Sequence, residues 1–509
     1  MKKIFEVVAS IDIGSNYLRL IIAQINIDGS INVLEELVKT TNIGKDTFSK
    51  GRIAVSTIRE TCETLKGFTI LMKEYKVKNY KAVATSGIRE AENREYIIEQ
   101  IRLASGMRVK IINSAEERFY IYKDLRNYYT SEGSRVLKES IIVNITSGGI
   151  EVSTYEKGKL MFTEYLKLGP SRLREVLGDL ETKIISFPSI MEEFLESKMY
   201  LLKSKIKEMN IKNFIGLGGE LNTILQLCKG KEKDFIRRED IVRFYNDICN
   251  KTNEQIVDAY KIPIKKAELL LPSIIILNYF LKITNTKGIY APKASLRYGI
   301  LCDISDDLFH KERKNESLDD IINSVWYIAL KYGVDEKHGK QIEKIALSIF
   351  DQTKKLHKLG DRERLYLQVA SILHDSGNYV SFSDHEIHSY NIIITQSIMG
   401  LSDSEVILIA NIVRYHINEL PNYNYGSYQR LSNEDKITVS KLTAILKIAE
   451  SLDISHKQKI ADINIVNSQD KLLLKIYSQK DNLLEQWSFM NSREFFQEVM
   501  GIELEIKAQ

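Results

Sequence analysis

The sequence has little cysteine, little net charge and no long hydrophobic run. Its four cysteines form no C-x-x-C pair and fit a reducing compartment, where thiols serve as small apolar side chains. A net charge of +4, from 72 basic and 68 acidic residues, is too balanced for a general nucleic-acid binder. The longest apolar run, 269–281, falls short of the roughly 20 residues that span a bilayer. Glu6 and Asp12 interrupt any signal-peptide core. We therefore predict a cytoplasmic protein that binds neither a membrane nor a specific nucleic acid.

What the sequence does contain is alternating strand and helix patterns that start twice. Its 509 residues, 44% hydrophobic and 28% charged, indicate a globular protein of roughly three or four domains. An apolar strand over 5–13 opens the first α/β segment, and a similar strand over 141–144 opens the second. The repetition predicts a two-lobed α/β protein. From about residue 315 long amphipathic helices follow, and strands return near 460–478.

Three turns, each directly after a strand, are rich in small residues. They are Asp12–Asn16, Asn144–Gly149 and Gly216–Gly219. Small residues let backbone N–H groups approach a phosphate without interference from a Cβ atom. Each turn alone also fits an ordinary hairpin or strand end, so the functional interpretation depends on all three occurring together.

Two further stretches carry polar groups of interest. Thr85 and Ser86 precede Arg89, an arrangement that suits an oxyanion or a capped helix start. Glu116 and Glu117 open a helix, where paired carboxylates favour the helix dipole or supply a general base.

The order of these motifs resembles the exopolyphosphatase and guanosine pentaphosphatase (Ppx/GppA) phosphatases. The resemblance extends through Ser171-Arg172-Leu173 and Leu296–Leu301 and covers essentially the whole chain. It implies two actin-like lobes of the sugar-kinase superfamily, with ribonuclease H-like folds, then an all-α HD-like domain and a small α/β C-terminal domain. We place these at residues 1–128, 129–308, 309–458 and 459–509.

The implied reaction is attack of water on the terminal phosphate of inorganic polyphosphate or of guanosine penta- or tetraphosphate. Such phosphoryl transfer needs positioning and charge neutralisation more than covalent help. Glu116 matches the family's catalytic glutamate, and Glu151 closes the second phosphate motif. Mg²⁺ would be held by Asp12 and Glu151. The phosphate-binding set comprises Asp12, Gly14, Ser15, Asn16, Arg19, Thr85, Ser86, Arg89, Asn93, Asn144, Ser147, Gly148, Gly149, Gly218 and Gly219. A homodimer is expected by analogy with the family.

A departure from the family pattern at Asn144 and a further motif in the helical region leave alternatives open. The family usually has aspartate where this chain has Asn144, and a neutral oxygen is a poor ligand for Mg²⁺. In the helical region, an H…HD…D order resembles HD-type metal phosphohydrolases and predicts a site for Mn, Fe, Zn or Mg. Its predicted ligands are His338, His374, Asp375, His388, His416 and Asp453. The alternatives to an exopolyphosphatase are thus an HD-domain nucleotide phosphohydrolase, or a catalytically impaired regulator that binds polyphosphate or guanosine alarmones.

Overall fold

The computed structural model describes residues 5–131, 136–146, 149–181, 186–228, 234–309, 311–417, 419–421, 426–468 and 471–508. The chain divides into two compact units. Unit 1 comprises Met1–Ile112 and Glu117–Asn323, and unit 2 comprises Asn113–Glu116 and Ser324–Gln509. The four domain boundaries given above remain predictions.

The first sheet of unit 1 is built from the N-terminal residues. Its strands are β1 (Phe5–Ile13), β2 (Tyr17–Asn26), β3 (Ile31–Thr40), β4 (Asn79–Ala84) and β5 (Val109–Ile111), in the spatial order β3-β2-β1-β4-β5. The accompanying helices are α1 (Ile43–Lys50), α2 (Val55–Glu74), α3 (Ser86–Arg89), α4 (Arg94–Ser105) and α5 (Ser114–Ser131).

The second sheet of unit 1 follows a short 3₁₀ turn at Val136–Lys138. Its strands are β6 (Glu139–Ile145), β7 (Ile150–Glu156), β8 (Lys159–Leu166), β9 (Asn213–Leu217), β10 (Phe235–Arg237) and β11 (Gly288–Tyr290), in the order β10-β11-β9-β6-β7-β8. The helices here are α6 (Pro170–Glu181), α7 (Phe187–Lys198), α8 (Tyr200–Lys207), α9 (Gly219–Leu227), α10 (Arg238–Cys249), α11 (Asn253–Tyr260), α12 (Ile264–Thr284), α13 (Leu296–Leu308) and α14 (Lys311–Lys331).

The two sheets share one topology. In each, the first three strands form an antiparallel meander, and the next strand returns parallel to the first, as β4 beside β1 and β9 beside β6. Central strands are apolar on both faces, and residues such as Ile11 and Ile142 are fully buried. The internal repeat predicted from the two strand–turn openings is therefore present.

Helix α12 explains the longest apolar run of the sequence. Among the described residues it is the one helix long and apolar enough to cross a membrane, but 67% of its most apolar window is buried within the protein. That burial is typical of a core helix.

Unit 2 is mainly helical and ends in a small sheet. Its helices are α15 (Glu336–Gln352), α16 (Lys354–His357), α17 (Asp361–Leu373), α18 (His385–Ile394), α19 (Asp403–Arg414), α20 (Gly426–Gln429), α21 (Asn433–Ser451) and α22 (Leu483–Met500), with a 3₁₀ turn at Ser376–Tyr379. Strands β12 (Ile460–Ser468), β13 (Lys471–Ser478) and β14 (Glu503–Ala508) lie side by side in that order.

Candidate functional site

A cavity of about 640 Å³ lies in unit 1 where strands of both sheets end. Residues after β1, β4, β6 and β9 contribute to its wall, so the topology brings together turns that are far apart in sequence. Nine of the predicted phosphate-binding residues line it, namely Asp12, Gly14, Ser15, Asn16, Arg19, Thr85, Asn144, Gly218 and Gly219.

The turn after β1 is held in shape by short contacts. Gly14 N donates to Tyr17 O at 3.0 Å, and the Ser15 hydroxyl lies 3.2 Å from that of Ser86. A Cβ atom on Gly87 would come within 2.9 Å of the Ser15 Cα atom, so glycine is needed for this close approach. The turn is thus pre-shaped before any ligand binds.

Asp12 and Arg19 form a cross-strand pair at the base of this turn. They are opposite each other in the β1–β2 ladder, and Arg19 Nη1 donates to Asp12 Oδ2 at 3.0 Å. Burial raises the pKa of Asp12, while the positive charges of Arg19 and Arg297 oppose that rise. The carboxylate predicted to hold Mg²⁺ is therefore already paired with a guanidinium group.

The second turn has an equivalent pair with different chemistry. Asn144 on β6 is opposite Glu151 on β7 and hydrogen-bonds to it. Glu151 is buried, and its Oε1 atom lies 2.6 Å from the Nε of Arg118. Burial raises the pKa of Glu151 to about 7, against the opposing effects of Arg118 and Asn144. Glu151 is not among the described residues that line the cavity.

The tip of this second turn is only partly described. Thr146 and Gly149 exchange backbone hydrogen bonds of 2.9 and 3.3 Å. A Cβ atom on Gly149 would overlap the Tyr165 ring at 2.4–2.6 Å, so Gly149 serves packing and does not line the cavity. Ser147 and Gly148, both predicted to bind phosphate, lie outside the described residues.

The third turn supplies a helix N-terminus. Gly218 has a φ of 129°, and a Cβ atom there would come within 2.2 Å of Ile145 O. This conformation, accessible essentially to glycine alone, turns β9 directly into α9, which begins at Gly219. The first N–H groups of a helix have no partner within it and favour anions. Because Gly218 and Gly219 line the cavity, this helix start can bind a phosphate there.

Of the two adjacent glutamates on α5, Glu117 lines the cavity. Burial raises the pKa of Glu117. The positive charges of Arg89 and Arg118 lower this pKa, and the negative charge of Asp12 raises it further. A carboxylate with a raised pKa is a stronger base than an ordinary one, which suits Glu117 to accept a proton from water.

Glu116, the predicted catalytic residue, has a different role in the structure. Asn113 N donates to Glu116 Oε2 at 3.1 Å, and Glu116 N donates to Asn113 Oδ1 at 2.9 Å. These reciprocal hydrogen bonds form a capping box at the start of α5. The capping box thus uses Glu116, the predicted catalytic residue, at the third position after the cap, and Glu117 is the member of the pair in the cavity wall.

Three other predicted phosphate ligands, Ser86, Arg89 and Asn93, are not among the described residues that line the cavity. Arg89 donates to Ile112 O at 2.8 Å. Asn93 is buried and makes two hydrogen bonds with the backbone of Ile53, at 3.0 and 3.1 Å. The side chain of Asn93 therefore holds the backbone at Ile53 in place. The wall also contains Arg297, which lies in the Leu296–Leu301 motif but was not predicted to bind phosphate.

A second cluster of polar residues is buried in unit 2. His338 lies on α15, His374 follows α17 and His416 follows α19, and each is at most 1% exposed. His374 Nε2 lies 3.2 Å from His338 Nε2. The helices thus bring together three of the predicted metal ligands.

Two carboxylates complete this cluster. Glu450 Oε2 lies 3.2 Å from His374 Nε2 and 3.4 Å from His338 Nε2. Asp375 Oδ2 lies 3.7 and 3.8 Å from the same two nitrogens. Glu450 was missed from the sequence because the H…HD…D pattern favoured the aspartate one turn later, Asp453.

Two predicted metal ligands lie elsewhere. Asp453 Oδ2 is 2.9 Å from His338 Nδ1, on the far side of the ring from the cluster, and Asp453 Oδ1 accepts from Gln458 N at 2.7 Å. His388 belongs to none of the metal-competent groups among the described residues. His385, one turn earlier, instead places Nε2 3.3 Å from Asp375 Oδ1.

Comparison with known proteins finds family models that match both halves of the chain. The model of the Ppx/GppA phosphatase family matches residues 21–308, and that of Ppx/GppA phosphatase domain III matches residues 322–492. The solved Aquifex aeolicus PPX-GPPA enzyme is 26% identical with a TM-score of 0.52, over 59% of this chain and 99% of that one. A second Aquifex aeolicus Ppx/GppA family structure is 25% identical with a TM-score of 0.50, over 59% and 97%. An exopolyphosphatase from Cytophaga hutchinsonii is 20% identical with a TM-score of 0.48, over 59% and 98%.

Proposed function

Since the chain belongs to the Ppx/GppA phosphatase family, we propose that its unit 1 cavity hydrolyses the terminal phosphoanhydride of inorganic polyphosphate or of a guanosine polyphosphate. The observation that carries this proposal is the cavity itself. Its wall combines three strand-ending turns, a helix N-terminus and one glutamate with a raised pKa.

In the reaction, the oxygen of water forms a bond to the terminal phosphorus as the bridging P–O bond breaks. Glu117 accepts the proton of the attacking water, and the shortened chain leaves with the bridging oxygen. The N–H groups at the start of α9 and the turn at Gly14–Asn16 hold the phosphate oxygens. Arg19 and Arg297 are the cationic side chains in the described cavity wall. Each also contacts a carboxylate, since Arg19 is paired with Asp12 and Arg297 with Glu36. The products are orthophosphate and a chain one phosphate shorter.

Phosphatases of this family generally depend on divalent metal ions. In this cavity, however, the residues do not fit the Mg²⁺ site expected from the sequence. Asp12 is paired with Arg19, Glu151 is paired with Arg118, and Asn144 is neutral. Two carboxylates already neutralised by guanidinium groups are poor ligands for Mg²⁺. Attack by water is therefore assigned to Glu117 and the phosphate-binding turns, without a metal bound by Asp12, Asn144 or Glu151.

The neutral Asn144 favours a second candidate, which is binding of polyphosphate without turnover. A regulator of this kind would use the same anion-binding turns and would need no base. The two candidates differ in whether phosphate is released from a bound chain.

The test is phosphate release from polyphosphate by the full chain, measured together with polyphosphate binding. A hydrolase releases orthophosphate, and Glu117→Gln lowers kcat by about 10²–10⁴-fold while binding is retained. Binding without release from the wild type would support the regulator. Absence of both would refute the proposed site.

A further inference from the structure

Helix α13 begins in the wall of the unit 1 cavity. Its N-cap residue, Ser295, and the two residues that follow, Leu296 and Arg297, all line the cavity. The charge of Arg297 reaches Asp12 in the turn after β1, where it opposes the rise in the pKa of that carboxyl group. The placement of the first turn of α13 therefore determines where this guanidinium group stands relative to the phosphate-binding turns.

This helix start contains only half of a capping box. The Ser295 hydroxyl accepts from Tyr298 N at 3.3 Å, which satisfies one of the free N–H groups of the first turn. In a complete capping box, glutamate or glutamine in the place of Tyr298 would accept the N–H of the N-cap residue. Tyrosine has no carboxylate or amide oxygen for this bond, so the Ser295 N–H takes an acceptor from another element.

Asp124 on α5 supplies that acceptor. Ser295 N donates to Asp124 Oδ2 at 2.7 Å, and Asp124 is 6% exposed. Burial raises the pKa of Asp124 to about 7, and the bond from Ser295 acts against that rise. No lysine or arginine among the described residues pairs with this carboxylate. Because a buried carboxylate without an ion pair costs stability, Asp124 is poorly explained as a packing residue.

The rest of the contact between α5 and α13 is close. A Cβ atom on Gly299 would come within 1.7 Å of Tyr120 O, so glycine is required where the two helices meet. Further along, Lys123 Nζ donates to Asp303 Oδ1 at 2.6 Å and to Asp306 Oδ2 at 2.8 Å. The helices are thus held together along their length, and the N-cap bond fixes the end that lines the cavity.

We propose that Asp124 is a positioning residue of the unit 1 cavity, which accepts the Ser295 N–H and thereby holds Arg297 in place to bind a substrate phosphate. This inference rests on the function proposed for the cavity. Asp124 is not among the described residues that line the cavity, so it acts through the backbone of Ser295. It lies about two helical turns after Glu117 on α5, so the same bond sets the spacing between the proposed base and Arg297.

The test is a double-mutant cycle on tripolyphosphate binding by the full chain, carried out in a Glu117→Gln parent so that the ligand is not cleaved. The assay is run at pH 8, where the Asp124 carboxylate is largely ionised. Because misplacing a binding group by about 1 Å costs on the order of 100-fold, Asp124→Ala should raise the Kd by about 10–100-fold. When Arg297→Ala is already present, Asp124→Ala should raise the Kd by less than about threefold, since the group it positions is gone. Asp124→Asn keeps an acceptor in the same place and should stay within about threefold of the parent.

Asp306→Ala is the matched control. Asp306 is similarly buried in the same helix pair, but it ties α13 to Lys123 and is not among the described residues of the cavity wall. The Kd of this variant should stay within about threefold of the parent. Circular dichroism checks the fold of each variant. Asp124→Ser, whose hydroxyl is one bond too short to reach Ser295 N, takes the place of Asp124→Ala if that variant does not fold.

The proposal is overturned if Asp124→Ala leaves the Kd unchanged, if it raises the Kd equally with and without Arg297, or if folded Asp306→Ala raises it as much. A folded parent that binds no tripolyphosphate would instead refute the function proposed for the cavity, and this inference with it.

Discussion

Replacing Gly218 by alanine should destabilise unit 1 and damage its phosphate site. An L-residue at the observed φ of 129° costs about 1–3 kcal/mol in backbone strain. The added Cβ atom would come within 2.2 Å of Ile145 O, and relieving that overlap with a backbone atom costs about another 1–3 kcal/mol. The cost of the backbone strain and the cost of the overlap add. We therefore expect denaturant titration to show a free energy of unfolding that is lower by about 2–6 kcal/mol.

Gly219→Ala is the matched control. A Cβ atom at Gly219 would meet no other atom within 4 Å. Gly219 is also the first residue of α9, where alanine should leave the stability of the protein unchanged or raise it by up to about 1 kcal/mol. The KM for polyphosphate should rise in Gly218→Ala because the start of α9 shifts. Equal stability of Gly218→Ala and wild type, or equal destabilisation by both substitutions, would refute this account of the turn.

Three further predictions follow from the charges at the two sites. Because the pKa of Glu117 is raised, kcat should fall on acidification with a midpoint above the ordinary value of 4.5, and a pH–rate profile with no such limb would contradict its role as base. Asn144→Asp should lower the free energy of unfolding by about 1–3 kcal/mol, because two buried carboxylates then face each other. The loss should be larger at pH 8, where both carboxyl groups are more fully ionised, than at pH 6, and a loss that does not change with pH in denaturant titrations would argue against this reasoning. If unit 2 hydrolyses nucleotides, the double variant His374→Ala/Asp375→Ala should lose phosphate release from nucleotides and keep release from polyphosphate, and loss of both activities would contradict separate sites.

Sequence patterns identified the repeated architecture because it depends on long strands. The apolar run at 5–13 and the one at 141–144 both became central strands, and residues that follow them, such as Gly14, Ser15 and Thr146, line the same cavity. Backbone geometry of this kind is dictated by local residue types and by the order of the elements.

The individual side chains were harder to assign. Adjacent residues on a helix point about 100° apart, so the role of Glu116 or Glu117 depends on where α5 begins. The capping box with Asn113 sets that start and directs Glu116 to the backbone. Similarly, Glu450 and Asp453 lie three residues apart near the end of α21, and only the packing of His338 between them shows which side of the ring each one contacts.

The most direct test of the central claim compares two neighbouring substitutions in one assay. The kcat for phosphate release from polyphosphate is measured for Glu117→Gln and Glu116→Gln under identical conditions. We predict that Glu117→Gln lowers kcat by about 10²–10⁴-fold. Glu116→Gln should keep kcat within a few-fold of wild type and leave stability nearly unchanged, because glutamine also completes a capping box. The reverse pattern, with Glu116→Gln inactive and Glu117→Gln fully active, would contradict the assignment of Glu117 as the base.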